Sequence, residues 1–532
     1  MHRLYQKESL KGMVRMMKKP ATTQIRFPNR LMDTLLDKET EFDGSLPDYC
    51  PDVTRLVRVD CTPHVDSCDI GSEKAHISGR VVYDVLYETD RKNKLRHCSF
   101  TQEFHHSADL PRNELESLSG SCTASCCKIT CRMLSPRRLV LHARLELHVV
   151  VRGEVVHRLL STEPTDGVFF RKKTFRYDAP AETVRSEVRF DETLSLLQGE
   201  KNIGELVCGS VTLQPPQVTT AQGSVTAKTV AIVKVLYESE DAEGGHCMSA
   251  KNVPLSVTLE DPAIEEGKHC SVSLEVANAN ILPELDQYGE NRLLKAGFAV
   301  NASATLIGTQ EVEVADDLFS TTCMDTLERT ELELPRLAET VDRSFTVDLK
   351  LPADEPVFTA LYDTTVRAGR IRAVQAEGGV ELTGTLTVSM LGDGSDGIQH
   401  RDYTEEFVQF VPADIPADCS DVTAEVTPFE VLPTLHSDGS ISARVICNAR
   451  LSFCTKQPVS FLSDITEQTE LDNADEAYTV AYFFPARTDD LWTVAKKYRI
   501  DPDRLRLSNP DAFDELGRLN AGTKTLTVPK FL

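Results

Sequence analysis

The sequence lacks a long apolar run, although hydrophobic residues make up 41% of its 532 positions. No stretch approaches the roughly 18 consecutive apolar residues that indicate a membrane-spanning helix. The N-terminus also has no uninterrupted apolar segment followed by a small-residue cleavage site, which a secretory signal peptide would show. We therefore expect no transmembrane segment, and a protein that stays in the cytoplasm of the cell that makes it.

Positive charge is scarce. Lys and Arg number 58 against 82 Asp and Glu, so the formal net charge is −24. Because nucleic acids and anionic membranes bind basic surfaces, this balance argues against both as partners of the main body. The exception is residues 1–20, which are basic and place four apolar residues where they could line one face of a helix: Leu10, Met13, Val14 and Met17. Such a segment suits docking on a membrane or an acidic partner, or else a mobile tail.

Disulfide and zinc spacings are missing as well. The fifteen cysteines follow no disulfide-scaffold pattern, so without an export signal we expect reduced thiols. The densest group is Cys122, Cys126, Cys127 and Cys131, and it contains no CxxC pair. On a strand, Cys122 and Cys126 would face one side and the other two cysteines the opposite side. That arrangement favours small buried side chains over a zinc site.

The sequence contains no recognisable catalytic motif: no G-x-S-x-G, no H-E-x-x-H and no Walker loop. GDGSDG, from Gly392, matches G-x-G-x-x-G, but a strand-like segment follows it where a dinucleotide loop needs a helix. We expect a hairpin turn there. The adjacent His105 and His106 have no partnered nucleophile motif and are expected to be structural. These absences predict a protein that is not an enzyme and that carries no cofactor and no metal.

What the sequence does contain is a recurring strand pattern. In residues 76–90, HISGRVVYDVLYETD, apolar or small residues alternate with polar ones, as in a strand with one buried face. The pattern returns twice, so that Leu86 corresponds to Leu236 and Leu391, at shifts of 236 − 86 = 150 and 391 − 86 = 305 residues. This spacing predicts one domain built three times. Several short alternating runs in each copy, with few helical stretches, favour antiparallel β-sandwich-like domains.

The end of the chain differs in pattern. A strand-like run from Tyr478 precedes Leu491, Val494, Ala495 and Tyr498 at helical spacing. A second short helix is expected from Asp501, and a closing strand at residues 526–529. The predicted fold class is therefore mainly β: three tandem β-sandwich-like repeats followed by a small α+β (β-α-α-β) domain. The expected divisions are a basic segment at 1–30, repeats at 31–163, 176–326 and 334–466, and the last domain at 476–532.

This last domain resembles the LysM family. The positions that match the family's GDTLW signature, its LN-P stretch and its closing glycine are Thr488, Asp489, Asp490, Leu491, Trp492, Tyr498, Asn509, Pro510 and Gly522. Threonine replaces the family's first glycine and Asp490 replaces its threonine. The resemblance implies binding of N-acetylglucosamine chains through the loops after the first strand and before the second. Trp492, the only tryptophan, is expected to pack between helix and sheet. Tyr498, Arg499 and Arg506 are expected to lie exposed on a surface that meets a partner.

The repeats resemble the SPOCS domain. LPDYCPDV from Leu46, the recurring strand and the F-x-x-x-ADLP segment from Phe104 support this resemblance. Three such units before a LysM domain resemble the SipL-type spore morphogenesis proteins of endospore-forming bacteria. The resemblance implies a mother-cell scaffold whose LysM domain binds a sporulation morphogenetic ATPase or another coat protein at the forespore surface. The alternative is a peptidoglycan-binding protein that uses LysM to hold N-acetylglucosamine chains.

Overall fold

The computed structural model describes residues 20–90, 94–240, 245–266, 270–352, 358–394, 397–437, 440–470 and 480–529. The basic helix expected before Pro20 lies outside these residues. Strands hold 77% of the residues and helices 3%, which confirms the predicted mainly β class. Neither helix in the described part of the chain is long and apolar enough to cross a membrane.

The first strand set, which we call unit 1, forms two three-stranded antiparallel sheets. Its strands are β1 (Thr22–Ser45), β2 (Val53–Ile70), β3 (Lys74–Thr89), β4 (Leu95–Asp109), β5 (Glu116–Ser135) and β6 (Arg138–Leu160). The sheet orders are β1-β6-β5 and β2-β3-β4. Because apolar residues alternate with polar ones in β3 and β6, residues such as Val81 and Leu145 point into one apolar core that the two sheets share. The two sheets therefore form a sandwich.

Units 2 and 3 follow the same plan. The strands of unit 2 are β7 (Val168–Ser195), β8 (Ile203–Leu213), β9 (Gln217–Ala221), β10 (Ser224–Ser239), β11 (His246–Glu260), β12 (Cys270–Leu285) and β13 (Asn291–Ser320). Those of unit 3 are β14 (Cys323–Leu351), β15 (Ala360–Ala368), β16 (Arg372–Ala376), β17 (Gly379–Gly394), β18 (Gly397–Pro412), β19 (Cys419–Leu435) and β20 (Ile441–Glu470). Two short strands replace β2 in each, and all pairings are antiparallel. The glycine-rich stretch from Gly392 joins β17 to β18, which pair as a hairpin.

The first and last strands of each unit continue past the sandwich as a two-stranded ribbon. Ribbon 1 pairs residues 22–29 with 153–160, ribbon 2 pairs 168–180 with 307–320, and ribbon 3 pairs 323–337 with 454–470. Phe27 of ribbon 1, Tyr177 of ribbon 2 and Phe461 of ribbon 3 belong to one buried cluster, so the ribbons pack together. The domain starts expected at residues 31, 176 and 334 fall inside β1, β7 and β14.

The sandwiches also meet at the recurring leucine. Leu86, Leu236 and Leu391 lie in one buried apolar cluster to which all three units contribute. Beside it, Asp363 of unit 3 is 9% exposed and accepts hydrogen bonds from two cations of the other units. Arg58 Nη1 lies 3.2 Å and Lys234 Nζ 3.0 Å from its carboxylate oxygens. Apolar packing and ion pairs thus join the units.

The cysteine-rich strand β5 differs from the expectation. A β-bulge between Cys126 and Lys128 shifts the alternation by one residue. Cys131 therefore packs against the sandwich core together with Cys122 and Cys126, while Cys127 is exposed. The expectation that Cys127 and Cys131 share the opposite face is wrong, because a strict two-residue period does not survive a bulge.

The last described segment, residues 480–529, is named the C-terminal module. It folds as β21 (Val480–Phe483), α1 (Leu491–Tyr498), α2 (Pro502–Leu507) and β22 (Leu526–Pro529). β21 and β22 pair antiparallel. Val494, Ala495 and Leu505 turn inward from the helices and form the module's core with residues of β22.

Candidate functional site

Two predicted ligand positions organise the start of helix α1. Asp490 is its N-cap, and its Oδ1 accepts hydrogen bonds from Thr493 N at 2.7 Å and Thr493 Oγ1 at 2.6 Å. Asp489 closes the preceding turn, since its Oδ2 accepts from Ala486 N at 2.8 Å. Leu491 N donates to Gly517 O at 2.8 Å. This bond fixes the start of the helix beside the long loop between α2 and β22, residues 508–525. Local backbone geometry therefore already uses both carboxylates.

One face of α1 lies on ribbon 2. Trp492 and Lys496, four residues apart and so on the same side of the helix, both reach Asp317 of β13. Trp492 Nε1 donates to Asp317 Oδ2 at 3.0 Å. Lys496 Nζ lies 2.6 Å from Oδ1 and 2.8 Å from Oδ2 of the same carboxylate. The only tryptophan thus packs against the module's core cluster and also contacts unit 2.

The charge of Asp317 is set by these contacts. Its side chain is 14% exposed. Burial opposes ionisation, but the hydrogen bonds from Lys496 and Trp492 outweigh it and hold the pKa of Asp317 below its ordinary value. The carboxylate is therefore ionised at neutral pH and completes a charge-assisted contact.

The contact continues on both sides of Asp317. Phe319 is 2% exposed and belongs to the module's core cluster, with its ring centroid 5.1 Å from that of Trp492 in an edge-on arrangement. Arg499 ends α1 with φ 51° and donates from Nη1 to Ser320 O at 2.8 Å and to Cys323 O. Arg499, expected on a partner surface, is instead bound within the chain. The module and ribbon 2 share one core and one polar rim.

Asn509 is a structural residue in this geometry. It is 9% exposed. Its Nδ2 donates to Leu505 O at 2.8 Å and Thr527 O at 2.7 Å, and its Oδ1 accepts from Thr527 N at 2.7 Å. These three bonds connect α2 to β22. A ligand would have to break them to use this amide.

The other predicted positions are distributed over the module. Thr488, Pro510 and Gly522 are exposed in the two long loops, and Gly522 has φ 102° with open space where a Cβ would lie. The ring of Tyr498 packs edge-on against Phe483 with the centroids 5.4 Å apart. The guanidinium of Arg506, also expected to meet a partner, donates to Asp514 O at 2.9 Å. The predicted set therefore divides into fold-forming residues and three exposed loop positions.

The face of β21 that points away from the module's core is exposed and apolar. Ala481 and Phe483 pack inward. Tyr482 and Phe484, which we call the outer aromatic pair, are 71% and 74% exposed. Leu507 is also largely exposed. Several large apolar side chains that are exposed close together indicate a contact surface.

Sequence reasoning missed Asp317 and Phe319, the two residues on which the module sits. Asp317 and Trp492 are 175 positions apart. No local pattern connects an acidic residue near the end of a strand with a helix so distant in the chain. Within the described residues, no group of three or more His, Cys, Asp or Glu side chains could hold a metal ion.

Comparison with known protein families gives a match to part of unit 1. Residues 52–126, which cover β2 to β4 and part of β5, match the family model described as SipL, SPOCS domain. The match supports a SipL-type protein and suggests a sporulation-related function. It covers 75 of 532 residues (126 − 52 + 1). No curated protein matches the chain, and no solved structure matches it.

Proposed function

We propose that this chain is a non-catalytic scaffold in endospore envelope assembly. Units 1 to 3 act as tandem SPOCS domains, and residues 476–532 act as a LysM domain that docks on a morphogenetic protein, such as an ATPase, at the forespore surface. The match of residues 52–126 to the SipL SPOCS model supports the sporulation role. The common sheet plan of the three units supports extending it to units 2 and 3.

The observation that carries the docking role is the outer aromatic pair. Trp492 and Lys496 are occupied by Asp317, so a partner must use the side of the module that faces away from ribbon 2. Tyr482 of β21 and Phe484, which directly follows this strand, are more than two-thirds exposed. Aromatic side chains supply much of the binding energy of protein interfaces when a partner buries them.

The same geometry favours a protein partner over a glycan. Sugars need several polar groups that converge on a concave site. Asp489, Asp490 and Asn509 direct their polar atoms to the backbone. The matched positions left in the loops are Thr488, Pro510 and Gly522, which offer a single hydroxyl side chain.

Tyr482→Ser with Phe484→Ser in the full-length chain tests the docking role. Ala481 and Phe483, which face the core, stay unchanged, so the module keeps its fold. We expect a fluorescent-protein fusion of this variant to lose its forespore localisation in sporulating cells. Leu197→Ser with Tyr288→Ser is the matched control, since these residues are 64% and 80% exposed on unit 2. Normal localisation of the β21 variant would overturn the docking role.

Binding to purified peptidoglycan separates the glycan alternative. The scaffold proposal predicts no saturable binding by the full-length chain. Saturable binding that Thr488→Ala abolishes and Tyr482→Ser leaves intact would instead assign the module to N-acetylglucosamine chains.

A further inference from the structure

Unit 1 contains facing cysteines on two strands from different sheets. β2 and β5 each form an edge of their sheets, and their Cα atoms approach within 8 Å. Cys61 of β2 is 5% exposed, and Cys126 of β5 packs against the same core. Each of these two thiols shifts the pKa of the other, so the two side chains lie beside each other. The two thiols therefore face each other across the open side of the sandwich.

A second cysteine pair lies next to the first along the same strands. Cys68 of β2 and Cys122 of β5 also turn toward the core. A Cβ built on Gly120, two residues before Cys122, would lie 3.1 Å from Cys68 Sγ. The numbering rises along β2 from Cys61 to Cys68 while it falls along β5, as two antiparallel neighbouring strands require. The Cys61 and Cys126 contact thus fits the strand geometry.

Packing alone does not require these thiols, because unit 2 fills the same places with valine. In the paired registers, Cys61 lies opposite Tyr83 and Val211 opposite Val233, and 83 + 150 = 233. Cys126 and Val276 each directly precede a bulge on the equivalent strand of their units. The positions of Cys68 and Cys122 correspond in the same way to Val218 and Val272. Four cysteines in unit 1 therefore replace four valines.

Cys126 is also the more reactive of the first pair. It is partly exposed, whereas Cys61 is buried. The hydrogen bond from Cys61 lowers the pKa of Cys126, burial opposes this, and Arg367 of unit 3 lowers the pKa further. The same bond raises the pKa of Cys61. Thiolate character and access make Cys126 the attacking sulfur and Cys61 the resolving thiol.

We propose that Cys61 and Cys126 are an oxidation site, at which a small-molecule disulfide converts the two thiols into a disulfide bond between β2 and β5. The Cys126 thiolate attacks one sulfur of the oxidant RSSR, and RS⁻ leaves. The Cys61 thiol loses its proton and attacks Cys126 Sγ in the mixed disulfide, which releases the second RS⁻. The protein loses two electrons and two protons, and RSSR becomes two RSH.

The bond would close the sandwich covalently at its open edge. It joins the sheet β2-β3-β4 to the sheet β1-β6-β5 across the 64 residues between the two cysteines (126 − 61 − 1). Cross-links over long loops restrict the unfolded chain and raise resistance to unfolding. The oxidised form of unit 1 is therefore more resistant to proteolysis than the reduced form.

Oxidised glutathione acting on the reduced full-length protein provides the test. Cys61 and Cys68 share one tryptic peptide, as do Cys122, Cys126 and Cys127, so the background variant carries Cys68→Val and Cys122→Val, copied from unit 2. After free thiols are alkylated and the protein is digested without reductant, mass spectrometry should find residues 59–74 linked to residues 113–128. Adding Cys126→Val should abolish the link, and adding Cys127→Ser should leave it unchanged.

Two outcomes would overturn the proposal. One is a stable glutathione adduct on Cys126 with Cys61 still alkylated. The other is a link that persists in the Cys126→Val variant or disappears in the Cys127→Ser variant. Far-ultraviolet circular dichroism of each variant shows whether a missing link reflects a lost fold. We expect the variants to stay folded, because valines occupy the equivalent places in unit 2.

Discussion

Asp317 is a single carboxylate on which the position of the C-terminal module depends. It binds Trp492 and Lys496 at once, and the chain has no other tryptophan. Indole emission therefore reports on this one contact without a label. This makes the docking of the module directly measurable in the full-length protein.

Acid should weaken the contact. The pKa of Asp317 is lower in the folded state than in the unfolded chain, so its ion pair stabilises the docked module fully above the unfolded pKa of about 3.9. That stability is lost as pH falls through the lower folded pKa. We expect Trp492 emission to stay constant from about pH 8 to about pH 5 and to shift to longer wavelength below about pH 4.

Asp317→Asn should give the same shift at neutral pH, because the amide cannot pair with Lys496. Asp316→Asn is the control, since Asp316 pairs instead with Arg171. Emission of the Asp317→Asn variant that matches the wild type at neutral pH would contradict this role.

Asn509 allows a second prediction at this scale. Asn509→Ala removes one buried hydrogen bond to α2 and two partly buried ones to β22, so the backbone N–H and C=O of Thr527 lose these partners. We expect the module to lose about 2 kcal/mol or more of unfolding free energy, measured by denaturant titration with Trp492 fluorescence. Pro510→Ala, at the exposed neighbouring position, should change it by less than about 0.5 kcal/mol. Equal effects of the two substitutions would show that the amide is not structural.

Among the elements, the sequence predicted those with local signals. The alternation in β3 predicts the buried side of Ile77, Val81 and Tyr83, which are each at most 1% exposed. The start of α1 was predictable too, because Asp490 and the helical spacing after it are adjacent in sequence. Leu86 departs from the alternation, since the other units cover the second face of β3 there.

The ribbons could not be predicted in this way. Each pairs the first residues of a unit with its last, such as Thr22 with Leu160. Pairing between strands that are so far apart in the sequence adds no periodic pattern to either strand beyond the alternation that every strand shows. The domain starts expected at residues 176 and 334 therefore fall inside β7 and β14. The contact between Asp317 and Trp492 was hidden for the same reason.

The ribbon bundle can be tested through Phe461. This ring is fully buried in ribbon 3 and lies 6.5 Å from the ring of Phe27 in ribbon 1. Phe461→Ala leaves a cavity between ribbons, and we expect a cost of roughly 3 to 5 kcal/mol. Hydrogen exchange should accelerate in residues 22–29 as well as in ribbon 3. Phe410→Ala, at a 44% exposed position on β18, should leave exchange in residues 22–29 unchanged.

At the scale of the whole molecule, the units are coupled through the cluster of recurring leucines. A double-mutant cycle with Leu86→Ala and Leu391→Ala should show a coupling free energy of about 1 kcal/mol, because the two side chains share one cluster. The same cycle with Leu86→Ala and Leu451→Ala should be additive within about 0.5 kcal/mol, since Leu451 lies in the separate core of unit 3. Additivity in the first cycle would mean that the units unfold independently.

The joining of three units in one chain has a consequence for how the protein can change. In a trimer of identical subunits every substitution appears three times, so symmetry forbids a feature that exists once. Here Cys61 and Cys126 occur in unit 1 while unit 2 has Val211 and Val276. The C-terminal module likewise rests on Asp317 of unit 2. A single asymmetric chain fixes the stoichiometry at one module for every three sandwiches, which association of separate copies could not enforce.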